Sequence, residues 1–414
     1  MKDKRSLNLH SEVHSSHNKF TRRLFDEDPY AREFEATILS VTPGSNIFEV
    51  MLDQTLFFPE SGGQPSDIGI IDSIPVNGVK EADGNIIHIM EKPIDEGRLI
   101  HGRIDWNHRF DHMQQHTGQH ILSQTFIELL NAETIGFHLG RQISTIDLTV
   151  GRIEDDALRK VETRANEIVM MDKMVYIHYK QSDKLDGIQL RKQPDLDGLL
   201  RIVEIDQFDW SGCCGTHVKR CGEIGLIKIL RQEKYKGGIR ISFLCGHRAL
   251  QAAQKSHDIT MQMSRMLSSN EDALTAALQK MITERKDLLK TVKLSRRQVV
   301  ESEAVNLVLK ARACGALMKI VERLDDFDPE TLQQIARRIV QEPDRLVILC
   351  RQSDSLFTVI ARSKNVSWDV RPAVEKISEL IQGRGGGGSD FGQITGVGAG
   401  GLEEVMNWGR NLQI

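Results

Sequence analysis

Between Gly246 and Gly315 the chain contains neither glycine nor proline. Both residues interrupt helices, so a long run without them favours continuous helix. Within that run Leu274, Leu278, Met281, Leu288, Val292 and Val299 follow alternating steps of four and three, with Arg285 and Ser295 as polar interruptions. This is a heptad-like seam. The expectation is a helical hairpin or coiled-coil-like spacer over residues 249–310 that joins two halves. A length of 414 residues agrees with about two or three domains.

The flanks read differently. EFEATILSV (33–41) and NIFEVMLD (46–53) alternate or run apolar around the turn PGSN, and DIGIIDSIPVNGVK continues as short strands. This predicts a β-rich, barrel-like or sandwich-like subdomain over 25–101, preceded by a polar leader over 1–24. RFDHMQQHTGQHILSQTFIELL has helical spacing, with Met113, Ile121, Leu122, Phe126 and Leu129 able to share one face. A strand (GRQISTIDLTV), a helix with an acidic first turn (EDDALRKVETRANEIVMMD) and further strands follow. Residues 102–248 therefore read as an α+β domain with helices on an antiparallel sheet. Residues 311–414 read as α/β, with RLVILC and LFTVIARS as strands and PETLQQIARRIVQ and RPAVEKISELIQ as helices begun by proline. The glycine-rich GRGGGGSDFGQITGVGAGG and a short last helix close the chain. The fold class expected for the whole is α+β.

The net charge of -4 gives no global basic signature, although a local patch suffices for RNA. The first 20 residues lack the apolar core of a signal peptide, and no window approaches about 18 apolar residues, so no membrane span is expected. Six cysteines in so long a chain fit a reducing cytosol better than a disulfide framework. The expected localisation is cytoplasmic.

The strongest chemical signal is HTGQH at 116–120. On a helix His116 and His120 lie one turn apart on one face, the geometry of two ligands of one metal. Polar surface histidines are the plain alternative. WSGCCGTHV at 210–218 offers a second half: Cys213 and His217 as C-x-x-x-H, or Cys214 and His217 as C-x-x-H. Either completes a His/His/Cys/His set, which suits Zn2+ better than the oxygen-seeking Mg2+ or Ca2+. Spacing alone does not choose the cysteine. LDQTLFFPESGGQPSDIGII at 52–71 is either an ordinary turn or a glycine-built loop that sets Thr55, Gln64 and backbone N–H groups against a small ligand.

LDQTLFFPESGGQPSDIG, IDWNHRFDHMQQHTGQHILS, GFHLG with STIDL, and CCGTHV followed by IGLIKI, in this order and spacing, resemble the editing domain of alanyl-tRNA synthetases. The last glycine-rich segment resembles the C-terminal domain that those synthetases carry. The resemblance spans roughly residues 25–410 and includes no aminoacylation motifs, so the chain looks like a long, freestanding alanyl-tRNA editing protein. The family motif C-x-G-T-H selects Cys213 with His217. Cys214 stands where the family usually has glycine, and Ser61 where it generally has another glycine before Gly62-Gly63-Gln64.

The resemblance implies zinc-dependent hydrolysis of the ester joining a wrong amino acid, serine and also glycine, to tRNA-Ala. It implies His116, His120, Cys213 and His217 as metal ligands, Thr55 as sensor of the serine hydroxyl and Gln64 as orienter of substrate or water. Gly62, Gly63, Gly136 and His138 are the expected substrate-binding residues. The basic stretch 280–297 is either a solvated face or a phosphate-tracking stripe; in the second reading Lys290, Arg296 and Arg297 bind tRNA, joined by Arg384 beside the glycine run. That run is not G-x-x-x-x-G-K-[ST], so no triphosphate site is expected; it either lets backbone approach RNA or forms a flexible loop. A homodimer through the helical spacer or C-terminal domain is also expected. The competing readings are a tRNA-binding or assembly module with structural zinc and no hydrolysis, and a phosphoesterase, for which FDHMQQH lacks the Asp-His-His motif.

Overall fold

A computed structural model describes residues 20–185, 187–192, 198–397 and 401–414. The leader expected over 1–24 lies outside the described residues up to position 19. From Thr21 the chain is already tied down: Thr21 is buried and its hydroxyl donates to the Leu52 carbonyl at 2.8 Å. Arg22–Arg23 then pairs in parallel with Gln54–Thr55.

The chain divides into two compact units, Met1–Gln262 and Met263–Ile414. In the first, six strands close into an antiparallel barrel in the order Glu33–Pro43, Phe48–Leu52, Asn85–Met90, Ile74–Ala82, Gly69–Ile71 and Leu99–Ile104. Side chains alternate along each strand, so Ala36 and Ile38, Val50 and Leu52, and Ile86 and Met90 point inward and form the barrel core.

The helix Trp106–Leu130 follows the last barrel strand. Asp105 caps it by accepting from the His108 N–H at 3.1 Å, and Asn131 ends it in the left-handed conformation. Arg109 ties its first turns to the barrel: fully buried, it pairs with Asp67 and donates to the carbonyls of Pro29 and Leu56. A four-stranded antiparallel sheet, ordered Ile227–Tyr235, Gly238–Cys245, Ser144–Leu148, Thr134–Leu139, packs against this helix together with the helix Asp155–Met170. A three-stranded antiparallel sheet, Val175–Gln181, Leu199–Ile205 and Asp209–Gly212, completes the unit.

The central helix differs from the one-sided helix expected. Residues 112–123 are buried around its whole circumference, whereas Leu129, assigned to the apolar face, is exposed. Gly118 explains the close packing: a Cβ there would run into the Cys245 sulfur of the sheet.

In the second unit the helix Leu274–Leu309 buries only its last turns, through Val300, Ala304 and Leu307 against Leu332 and Ile335. The seam residues Leu278, Met281, Leu288, Val292 and Val299 are exposed. A six-stranded sheet follows in the order Arg312–Cys314, Leu317–Arg323, Arg345–Gln352, Leu356–Arg362, Phe391–Gly396, Arg384–Gly387, with one parallel pair. The glycine run is therefore a paired edge strand: a Cβ at Gly385 or Gly387 would press into the backbone of Phe391–Ile394. Among the described residues, no helix is long and apolar enough to cross a membrane.

Candidate metal centre

The central helix holds His116 and His120 one turn apart and buried, which removes the surface-histidine alternative. The loop after Asp209–Gly212 brings Cys213 and His217 to them. The four donor atoms lie within 4.8 Å of one another. The Cys213 Sγ is 3.3 Å from His116 Nε2 and 3.3 Å from His217 Nε2. A tetrahedral ion with bonds of about 2.1 Å to nitrogen and 2.3 Å to sulfur would set neighbouring donors roughly 3.3–3.6 Å apart. The two Cys213–histidine separations match that spacing, and the donor set of three imidazoles and one thiol suits such an ion. Cys214 is exposed and outside this group.

Each imidazole is turned toward this point by a partner on its other nitrogen. His116 Nδ1 donates to Gln64 Oε1 at 2.8 Å, His120 Nδ1 to Asp209 Oδ2 at 3.1 Å, and His217 Nδ1 to Thr117 Oγ1 at 3.2 Å. A proton held on Nδ1 leaves Nε2 as a lone pair, the form a metal takes. The charges agree. Burial alone would raise the Cys213 thiol, but the His116 and His217 imidazoles outweigh it and hold the thiol well below its ordinary value. Burial, reinforced by His116, pushes His217 down to about 3, so its ring is neutral. Burial would also raise Asp209, yet the Arg191 cation and His120 keep its carboxyl below the usual range.

In HTGQH the two histidines are donors, Thr117 orients His217, Gly118 admits Cys245 and Gln119 faces a cavity. In CCGTHV, Gly215 carries no side chain because a Cβ would clash with the His116 ring and lie 2.8 Å from Gln64 Oε1. Thr216 fastens Gln64, accepting from its Nε2 at 2.8 Å and donating its own N–H to Oε1 at 3.1 Å.

A cavity of about 660 Å³ opens beside the cluster, bounded by His120, Cys213, Gln119, Thr134, Gly136 and Arg191 among others. Of the expected substrate-binding residues, Gly62 and Gly136 line it. Gly62 and Gly63 both have positive φ, 55° and 82°, between the hydrogen-bonded Ser61 and Gln64, which is the two-residue turn that needs glycine at its centre. Ser61 is the first residue of that turn and leaves it intact. Gly63 stands behind the cavity wall, its carbonyl accepting from the Leu139 N–H at 2.9 Å. His138 is exposed and is not on the wall.

Gln64 and Thr55 are placed differently from the expectation that they meet substrate. Gln64 is buried, with both polar atoms spent on His116 and Thr216. Thr55 is buried in the barrel module, where its hydroxyl lies 2.8 Å from His88 Nε2. His88 Nδ1 faces the Val50 carbonyl at 3.0 Å and must donate to it, so Thr55 donates to Nε2. The supporting residues Asp209, Arg191, Thr117 and Gln119 were not singled out from sequence, although Thr117 and Gln119 stand inside the histidine motif and Asp209 lies four positions before Cys213. In the second unit Arg296 is held by Asp328 and Glu330, whereas Lys290, Arg297 and Arg384 are exposed.

Residues 200–242 match the family described as the threonyl and alanyl tRNA synthetase second additional domain. The chain is 31% identical over 379 residues to the alanyl-tRNA editing protein Aarsd1 of Danio rerio, covering 87% of this chain and 90% of that protein. It is 29% identical over 377 residues to the alanyl-tRNA editing protein AlaX-L of Pyrococcus horikoshii, covering 88% and 92%. It is also 32% identical over 393 residues to the alanine–tRNA ligase of Pyrococcus abyssi, covering 90% of this chain but 42% of the ligase, so it spans about two fifths of that relative.

Proposed function

This chain belongs to the family of alanyl-tRNA editing proteins, and from that premise we propose that it hydrolyses the ester of mischarged tRNA-Ala. The substrates in this reading are seryl- and glycyl-tRNA-Ala. The observation that carries it is the set of three Nδ1-fixed imidazoles and one acidified thiol at the edge of a cavity large enough for an aminoacyl end. The donor set of three imidazoles and one thiolate favours zinc. Bound there, zinc would supply electrostatic polarisation and a fixed point for the ester. Gln64, Asp209 and Thr117 act as positioning residues through the three histidines. The cavity walls hold the aminoacyl group and exclude bulk water.

Lys290, Arg297 and Arg384 are the proposed phosphate contacts; Arg296, already paired with two carboxylates, contributes less. The exposed seam of Leu274–Leu309 supports self-association as a homodimer. The site of action in this reading is the cytoplasm, where charged tRNA is used.

Deacylation of seryl-, glycyl- and alanyl-tRNA-Ala, with and without a zinc chelator, tests the reading. Seryl- and glycyl-tRNA are expected to be hydrolysed, alanyl-tRNA spared, and the activity lost with the chelator and in His116→Ala and Cys213→Ala. No hydrolysis of either mischarged species by zinc-loaded protein refutes it. Four protein ligands fill a tetrahedral shell, which favours the second reading, a tRNA-binding module with structural zinc; that reading predicts zinc and tRNA binding without turnover.

A further inference from the structure

We infer that Gln119 is the residue that reads the hydroxyl of a seryl substrate, and so separates serine from the cognate alanine. This rests on the deacylase reading above and adds the specificity determinant. Gln119 is 2% exposed and lies on the cavity wall beside His120 and Cys213. Its Nε2 donates to Ser123 Oγ at 2.8 Å, and its Oε1 has no hydrogen-bond partner among the described residues. Ser123 also accepts from Thr134 Oγ1 at 2.8 Å, which anchors the carboxamide; a small turn of the Gln119 side chain toward the cavity brings its oxygen to a ligand. A buried carbonyl oxygen without a donor is costly, and a ligand O–H would satisfy it.

Ser211, Arg191 and Thr134, which share this wall with Glu133 and Lys192, are already engaged. The Ser211 hydroxyl donates to Asp209 Oδ2 at 3.0 Å. Arg191 donates to Ser211 Oγ at 3.0 Å and faces Asp209 Oδ1 at 3.4 Å. The Thr134 hydroxyl is spent on Ser123, and Thr55 donates inside the barrel module. Gln119 Oε1 is thus a buried acceptor without a donor. Serine differs from alanine by one hydroxyl, which is a donor. Alanine and glycine both leave the acceptor unpaired, so this hydrogen bond favours serine over either, and glycyl-tRNA is expected to be the poorer of the two edited substrates.

The test compares wild type with Gln119→Met, a near-isostere without the acceptor, and Gln119→Glu, which keeps one. Two readouts are taken: kcat/KM for seryl- against glycyl-tRNA-Ala, and affinity for the non-hydrolysable 3′-seryl- against 3′-glycyl-amides of adenosine. Metal content and melting temperature check that each variant is folded. Gln119→Met is expected to lower the seryl-over-glycyl ratio by about 10- to 100-fold in both readouts, with Gln119→Glu retaining most of it. An equal fall for both amino acids would assign Gln119 to the shared α-ammonium or to packing and overturn the inference, as would an unchanged ratio. If the wild type hydrolyses neither tRNA, the deacylase reading fails, while the analogue affinities still decide on Gln119; binding of neither analogue overturns it.

Discussion

Asp209→Asn is a nearly isosteric change whose consequence follows from counting donors. The carboxylate accepts from His120 Nδ1 at 3.1 Å and from Ser211 Oγ at 3.0 Å through Oδ2, and its Oδ1 faces Arg191 Nε at 3.4 Å. His120 and Arg191 both present N–H groups, from opposite sides, to a residue that is 2% exposed. Aspartate has an acceptor for each. Asparagine has one acceptor and one NH2. If its oxygen meets Arg191, the NH2 meets His120 and forces Nδ1 to accept, which moves the proton to Nε2 and removes the metal ligand. If its oxygen meets His120, two donors confront each other at Arg191. Loss of a carboxylate behind a metal-bound histidine typically weakens metal affinity by about 10- to 100-fold, roughly 1.4–2.7 kcal/mol. Competition for zinc against a chromophoric chelator at pH 7.5 measures it, with Asp156→Asn as a control at an exposed ion pair with Arg159. A zinc Kd for Asp209→Asn within twofold of wild type would refute the tautomer argument.

Zinc content separates the adjacent cysteines: Cys213→Ser is expected to lose stoichiometric metal and Cys214→Gly to keep it, because only Cys213 reaches the histidines. His88 gives a pH signature independent of the metal. Burial holds it at about 4 in the folded state, so the unfolded chain takes the proton first as pH falls below about 6.5. Stability is lost from there down to about pH 4, about 2 kcal/mol of it between pH 7 and 5. His88→Gln should therefore narrow the shift in urea midpoint between those two pH values; an unchanged shift argues against a buried neutral ring.

What could be read in the sequence is what short-range geometry controls. One helical turn separates His116 from His120, three residues separate Cys213 from His217, and two glycines at the centre of a tight turn specify its backbone; none of these needs the rest of the fold. The same locality explains why alternation along the barrel strands and the proline-started helices were legible. What joins the two halves of the site is not local. Cys213 meets His116 across 97 residues and Asp209 meets His120 across 89, separations over which strand register, not spacing, decides which atoms touch. Tertiary packing also buried the central helix on every side, turned the glycine run into a paired strand, and drew Arg296 away from the basic stripe into an ion pair. It placed Gln64 and Thr55 against histidines, although their types had pointed to substrate. A side chain's identity sets which hydrogen bonds it is able to make, but only the folded surroundings determine which partner takes them and which atom, as at Gln119, is left unpaired.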